Sequence, residues 1–156
     1  MKKTANNKDR ESRTSFWENT PLDRMTQKQW ESLCDGCGLC CMEKLEDAET
    51  GAIYVTSVAC QYLDLESSRC RIYENRTFIN DVCVQLTPAD VAKYRWLPET
   101  CAYRRVLEGR PLPDWHPLLC GSAKQMKKAG ATACDRAVSG DAIHPDDLHH
   151  FIDYEV

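Results

Sequence analysis

Large aliphatic side chains are scarce in this chain of 156 residues, where Leu, Ile, Val and Phe together number 29. That share lies just under the roughly 20% below which an apolar core becomes hard to assemble. No stretch approaches the ~18 consecutive apolar residues of a membrane span. The opening MKKTANNKDRESRTS has basic residues but no apolar segment behind them, so it does not read as a secretory signal. A glycine-rich nucleotide loop after a strand is missing, and so is a G-x-S-x-G elbow. Asp23, Asp47, Asp64 and Asp90 fall at no spacing that marks an acid–base pair. With 20 basic and 24 acidic side chains the net charge is only −4. That excludes a charged disordered polymer and argues against nucleic acid as the main partner. These absences leave no recognisable catalytic residue. They point to a cytoplasmic, reducing setting in which stable disulfides are not expected.

Sulfur is what the chain has in quantity. Ten cysteines in 156 residues are fewer than the ~8–10% of a disulfide scaffold but many for a reducing compartment. A thin core and many thiols together suggest a fold partly organised by metal.

Residues 1–15 carry five basic and two acidic side chains and almost nothing apolar. They read as a disordered polar tail, or else a docking arm for an acidic partner. The ordered domain is expected over 16–156. Thr26 with Gln29 forms a capping box, and Met25 can staple onto Trp30, which starts a helix through Leu33. That helix delivers the chain into Cys34. Residues 45–47 and 53–58, joined by the turn Ala48-Glu49-Thr50-Gly51, read as a hairpin. Residues 60–73 read as a second hairpin around Glu66-Ser67-Ser68-Arg69. Further helices are expected from Thr87-Pro88, from Pro98 to about Glu108, from a Ser122–Gln125 capping box, and from Pro145 through Phe151-Ile152. In the helix after Pro98, Tyr103, Val106 and Leu107 fall on one face. The expected fold class is α+β: a small single domain of short helices with one or two short β-hairpins, organised around a cysteine metal site.

The strongest signal is Cys34-Asp35-Gly36-Cys37-Gly38-Leu39-Cys40-Cys41. Two overlapping C-x2-C pairs share Cys37. Such spacing turns sulfurs inward on a tight loop, and Gly36 and Gly38 leave backbone N–H groups free to face thiolates. Zinc and iron–sulfur sites both need that support. Cys40 and Cys41 are adjacent, with Cα atoms about 3.8 Å apart and side chains that tend to diverge. Either they serve two sites, or one ligates while the other packs or reacts. Further ligands must come from outside the loop, where Cys60, Cys70, Cys83 and Cys101 are candidates. Cys120 and Cys134 read as ordinary thiols.

The run CDGCGLCC, followed by Cys70-Arg71-Ile72-Tyr73-Glu74-Asn75-Arg76, resembles the YkgJ-like cysteine-cluster family, described as a zinc- or iron-chelating domain. Trp30-Glu31-Ser32-Leu33, the block Trp96 to Arg104 and the block Leu112 to Leu119 are similar to its YcgN branch. The resemblance covers about residues 16–125. It implies metal binding through Cys34, Cys37, Cys40, Cys41, Cys60, Cys70, Cys83 and Cys101, with zinc or iron as the cofactor, and it implies no reaction. Some relatives carry a cysteine at the position of Ser68, so that position is not an essential sulfur ligand here. Others belong to flagellin-lysine methylation systems, which admits an accessory role in protein modification.

Zinc would need one C-x2-C pair plus two remote ligands. Cys34, Cys37 and Cys40 also reproduce three positions of a bacterial ferredoxin run, although the proline after its last cysteine is missing. Both metals fit, and an iron–sulfur redox or electron-transfer protein is the alternative to a metal carrier, sensor or interaction module. Of the four histidines, His116 between Trp115 and Pro117 reads as structural. His144, His149 and His150 read as a solvated group, the adjacent pair pointing apart. Tyr94-Arg95-Trp96 and Arg104-Arg105 read as core aromatics beside surface arginines rather than a nucleic-acid face. The expected partners are a metal ion and an unidentified protein, with no membrane.

Overall fold

The computed structural model describes residues 15–156; the expected polar tail lies outside them except for Ser15. A one-turn helix α1 (Phe16–Asn19) precedes α2 (Gln27–Leu33). Thr26 starts α2 as its sequence requires. Its Oγ1 accepts from Gln29 N at 3.2 Å, and Gln29 Oε1 accepts from Thr26 N at 2.9 Å. This reciprocal cap satisfies two donors that a helix start leaves free. The remaining helices are single turns or little more: α3 (Arg76–Ile79), α4 (Pro88–Val91), α5 (Ala102–Leu107), α6 (Pro117–Cys120) and α7 (Lys124–Lys128). Among the described residues no helix is long and apolar enough to cross a membrane.

The first hairpin forms as expected, from β1 (Met42–Glu46) and β2 (Ile53–Ala59). They pair antiparallel, Glu46 opposite Ile53 and Met42 opposite Ala59, with an irregularity between Met42 and Lys44. Thr56, almost fully buried there, donates to Glu43 O at 2.9 Å and accepts from Val58 N at 3.2 Å. On its other edge β2 pairs with two strands that the sequence did not announce. β3 (Val138–Ser139) runs parallel to Val58–Ala59, and β4 (Ile152–Glu155) runs antiparallel to Tyr54–Thr56. β2 is therefore the centre of a four-stranded sheet.

Six sequence expectations need correction. The second hairpin reduces to one bridge, Leu63 with Cys70. The turn between them is tightened by Asp64 Oδ1, which accepts from Glu66 N and Ser67 N, and by Ser68 at φ 57°. α5 begins at Ala102 rather than Pro98. Arg104 donates to Leu97 O and Arg105 to Glu99 O, so side chains take carbonyls that a helix would have used. On α5, Tyr103 is buried and Val106 half-buried, but Leu107 is nearly half exposed. Ser122 Oγ accepts from Lys124 N only, which makes a local turn and not a capping box. Finally, residues 145–151 form 3-10 turns, and Ile152 opens β4 instead of ending a helix. There the ring centroids of His149 and His150 lie 3.8 Å apart, tilted 41° to each other, instead of diverging, and both are exposed.

Two apolar clusters result. The helical one contains Leu22, Leu33, Val91, Leu97, Ala102, Tyr103 and Leu112. Trp30 and Tyr103 rings lie 4.3 Å apart, and Tyr103 Oη donates to Trp30 O at 2.9 Å, locking α5 onto α2. The second cluster lies on the sheet and contains Met42, Val55, Ala59, Leu63 and Ala133. Leu33 belongs to the first and Met42 to the second, so the cysteine run between them bridges the two.

His116 ties α6 to the end of α2. It is fully buried, its Nδ1 accepts from Leu118 N at 3.1 Å, and its Nε2 therefore donates to Leu33 O at 3.0 Å. Both ring nitrogens are used, so the structural reading of this histidine holds. His116→Ala should leave two backbone groups unsatisfied and a cavity, at a cost of about 3 kcal/mol. Urea unfolding checks this: the midpoint should fall clearly, whereas an unchanged midpoint would show that Leu33 O finds another donor.

Candidate metal centre

The chain leaves α2 at Cys34 in an extended conformation. Asp35 then turns it: its Oδ1 accepts from Cys37 N at 2.9 Å. Gly36 and Gly38 both sit at φ +74°, a conformation that side chains rarely adopt. Gly38 is further constrained by space. A Cβ there would lie 3.2 Å from both the Ser68 carbonyl oxygen and its Cβ, and 3.3 Å from Ala133 Cβ. Leu39–Cys41 form a 3-10 turn closed by Cys41 N to Gly38 O at 3.0 Å. Two remote segments hold the loop. Ala133 N donates to Cys37 O, and Cys60 N donates to Cys41 O, both at 2.8 Å.

Six of the eight candidate cysteines line one cavity of about 650 Å³: Cys34, Cys40, Cys41, Cys60, Cys70 and Cys83. Trp30, Trp96, Tyr103 and Leu86 supply apolar wall, and Lys44, Arg69 and Arg76 supply positive charge. Cys37 is buried within the loop, and Cys101 packs on the helical cluster. Among the described residues, no three Cys, His, Asp or Glu side chains converge closely enough to hold one ion. The structure thus brings the sulfurs to a common cavity, with wider spacing than a single-ion cage. Cys83 arrives on a stretch whose neighbours Phe78 and Val82 face outward, and Asn80 Nδ2 points at Cys60 Sγ at 3.8 Å.

The other two cysteines sit elsewhere. Cys120 Sγ faces the carbonyls of Trp115 and Ser122, and Cys134 Sγ lies 2.6 Å from Ser68 Oγ. Their reading as ordinary thiols agrees with these local contacts.

Cys34 and Cys40 are open to the cavity yet surrounded by protein, and their chemistry diverges. Burial pushes the Cys34 thiol up to about 12, and Cys40's charge adds to this. Burial likewise raises Cys37, Cys60 and Cys83, and lifts Cys101 to about 11. Cys40 goes the other way, down to about 7. The Cys41 thiol donates to its sulfur, and the Lys44 ammonium lies near enough to favour the anion. Cys41, as the donor in that pair, is raised. Lys44 is itself fixed by donating to Met42 O and Cys40 O, with Trp96 4.6 Å away. A thiolate so placed is a ready metal ligand, while the remaining thiols must shed protons to bind.

Sequence reasoning missed two groups here. Asp35 is buried at 5% exposure, and its Oδ2 has no hydrogen-bond partner. Arg69 lies against Gly36 and lines a smaller recess of about 280 Å³ with Glu31, Cys34, Cys70 and Tyr73. An aspartate two residues before a loop N–H is a legible turn former, but its burial is not.

Comparison with known proteins assigns the class and then the family. The CxxCxxCC domain, described as "Putative zinc- or iron-chelating domain", matches residues 33–102. The UPF0260 protein of Azotobacter vinelandii is 50% identical over 132 residues, 85% of this chain and 89% of that one. That of Rhizorhabdus wittichii is 49% identical over 141 residues, 90% and 96% of the two chains. That of Sinorhizobium fredii is 49% identical over 137 residues, 88% of each. With such identity along most of its length, the chain belongs to the UPF0260 family and carries its CxxCxxCC domain. No solved structure matches it.

The low Cys40 value gives a direct chemical expectation. In the reduced, metal-free protein, iodoacetamide should modify Cys40 first, at a rate that rises with pH and has its midpoint near pH 7. Below that pH the thiolate is protonated and labelling should slow about tenfold per pH unit. Mass mapping checks this, and uniform labelling of all the cavity thiols with a midpoint above pH 8 would contradict it.

Proposed function

We propose that the protein is a metal-binding protein whose cavity thiols, with Cys37 and Cys101, hold zinc or iron. The observation that carries this is that six cysteines from four separated stretches line one cavity. Chance packing of buried thiols would spread them through separate apolar pockets. The donor chemistry fits the class: thiolate is the ligand that zinc and iron–sulfur sites share. Bound metal would cross-link the loop to segments that now reach it through few hydrogen bonds, which suits a chain with little aliphatic core. The reading is of a cytoplasmic carrier, sensor or metal-organised interaction module rather than an enzyme.

An iron–sulfur redox or electron-transfer role is the second reading, and the cavity volume favours it. About 650 Å³ is much more room than one ion requires. Anaerobic purification with elemental analysis and an optical spectrum separates the two. Iron with acid-labile sulfide and a broad visible band selects the cluster; stoichiometric zinc with a featureless visible spectrum selects the single-ion centre.

Metal and fold should be coupled. Cys37→Ala should lower metal content and melting temperature together, since structural zinc sites contribute on the order of 10 kcal/mol to folding. Cys134→Ser, outside the cavity, should change neither by much. Should anaerobic stripping of metal leave the thermal transition in place, the metal is carried rather than structural.

A further inference from the structure

Of the cysteines around the cavity, Cys83 is the one that the fold does not hold in place. Cys34, Cys40 and Cys41 belong to the loop that Ala133 N and Cys60 N pin through Cys37 O and Cys41 O. Cys60 is fixed by that same bond, and Cys70 by its bridge to Leu63. Cys83 instead lies on a segment, residues 77–85, whose ends are tied and whose middle is loose. At one end Tyr73 Oη donates to Glu31 Oε2 at 2.7 Å, and the Arg76 guanidinium lies 4.0 Å from the Tyr73 ring. At the other end Leu86 packs on the helical cluster, and Thr87 Oγ1 donates to Asp90 Oδ2 at 2.6 Å. Between these ties the backbone bonds are local, Asn80 N to Arg76 O and Cys83 N to Asn80 O. Among the described residues, the one hydrogen bond from this stretch to another part of the chain runs from Asn80 Nδ2 to Cys60 Sγ, at 3.8 Å. The same stretch leaves apolar surface open. Phe78 is 92% exposed, Val82 79% and Ile79 48%. Single exposed apolar residues are ordinary, but three within five residues make a patch that folded chains usually cover. Val82, Cys83 and Val84 also line the cavity, along with Trp30, Trp96 and Tyr103.

We infer that residues 77–85 are a strap that closes on the cavity when metal binds. Cys83 moves toward the anchored sulfurs, and Phe78 and Val82 lose their exposure against the apolar wall. The inference rests on the metal-binding reading above and deepens it. It follows from which part of the structure is free to move. The cavity sulfurs are spaced too widely for three of them to meet on one ion, so a shared ion requires one stretch to approach the others. Moving the Cys34–Cys41 loop would break its bonds to Ala133 and Cys60. Moving the strap breaks one long contact to a sulfur, Asn80 to Cys60. Ordering the strap costs conformational entropy, and burial of Phe78 and Val82 offsets part of that cost. Closure is therefore coupled to loading, and the open apolar side chains belong to the unloaded form.

Short-pulse amide hydrogen exchange and limited chymotrypsin digestion test this on the full chain, without oxygen, before and after zinc loading, with zinc content measured in every sample. The metal-free protein should exchange residues 77–85 within seconds and be cut first after Phe78. Zinc should slow both by about tenfold or more, at pulse lengths where the buried strand β2 exchanges in neither state. Cys83→Ala should take up zinc through the remaining thiols yet keep the fast exchange and cutting of the metal-free chain. Val82→Asp, which keeps every thiol, should exchange faster than wild type when both are loaded. Fast exchange of residues 77–85 in zinc-loaded wild type overturns the strap and leaves metal binding standing. Full protection in loaded Cys83→Ala, or in loaded Val82→Asp, overturns the closure as argued. Slowing that is equal in the strap and in β2 is general stabilisation and overturns it as well. A wild-type chain that takes up no zinc overturns the metal-binding reading and this inference together.

Discussion

The eight-residue loop from Cys34 to Cys41 makes two hydrogen bonds of its own, and three long-range hydrogen bonds to backbone carbonyls anchor it to the rest of the fold. His116 fixes the carbonyl before the loop, Ala133 fixes Cys37 in its middle, and Cys60 fixes Cys41 at its end. Each donor comes from a different part of the chain. The loop crosses from the helical cluster to the sheet, so these bonds also set how the two apolar groups meet. Two glycines with positive φ make the turn possible but leave it floppy when unpinned. The stability of the cysteine arrangement is thus borrowed from contacts far away in sequence.

That arrangement concentrates groups that would rather be apart. Burial holds the thiols of Cys34 and Cys37 in their protonated form, Asp35 is buried in the turn between them, and Cys40 is drawn toward the thiolate. Lys44, Arg69 and Arg76 around the cavity offset part of the negative charge that would develop if more thiols ionised. A divalent cation bound as proposed would offset the rest of that charge. Such an ion would accept the lone pairs of the thiolates and favour their ionised form. The electrostatics of the site and the family's zinc- or iron-chelating description therefore point the same way.

Features written in adjacent residues were legible in the sequence. The Thr26–Gln29 cap, the end of α2 at Leu33 and the hairpin turn at residues 48–51 follow from local hydrogen bonding and backbone freedom. The cysteine loop was legible for the same reason. β3 and β4 were not, because β3 is two residues long and every side chain of β4 is exposed, so no alternation of buried and solvent faces marks it. The late start of α5 escaped as well, since it depends on Arg104 and Arg105 folding back onto carbonyls of the preceding turn. Which remote cysteines reach the loop could not be read from spacing: Cys60, Cys70 and Cys83 meet Cys34, Cys40 and Cys41 only through tertiary packing. The burial of Asp35 was hidden likewise, because an aspartate in a turn ordinarily faces solvent.

The central claim is that the cavity cysteines share metal, and counting reactive thiols tests it most directly. All ten cysteines are free of disulfides in this structure. The protein as isolated without oxygen should expose Cys120 and Cys134 to a thiol reagent and protect the other eight, and a strong chelator should release the eight together with stoichiometric zinc or iron. A thiol count that the chelator leaves unchanged, with no metal released, would contradict the account.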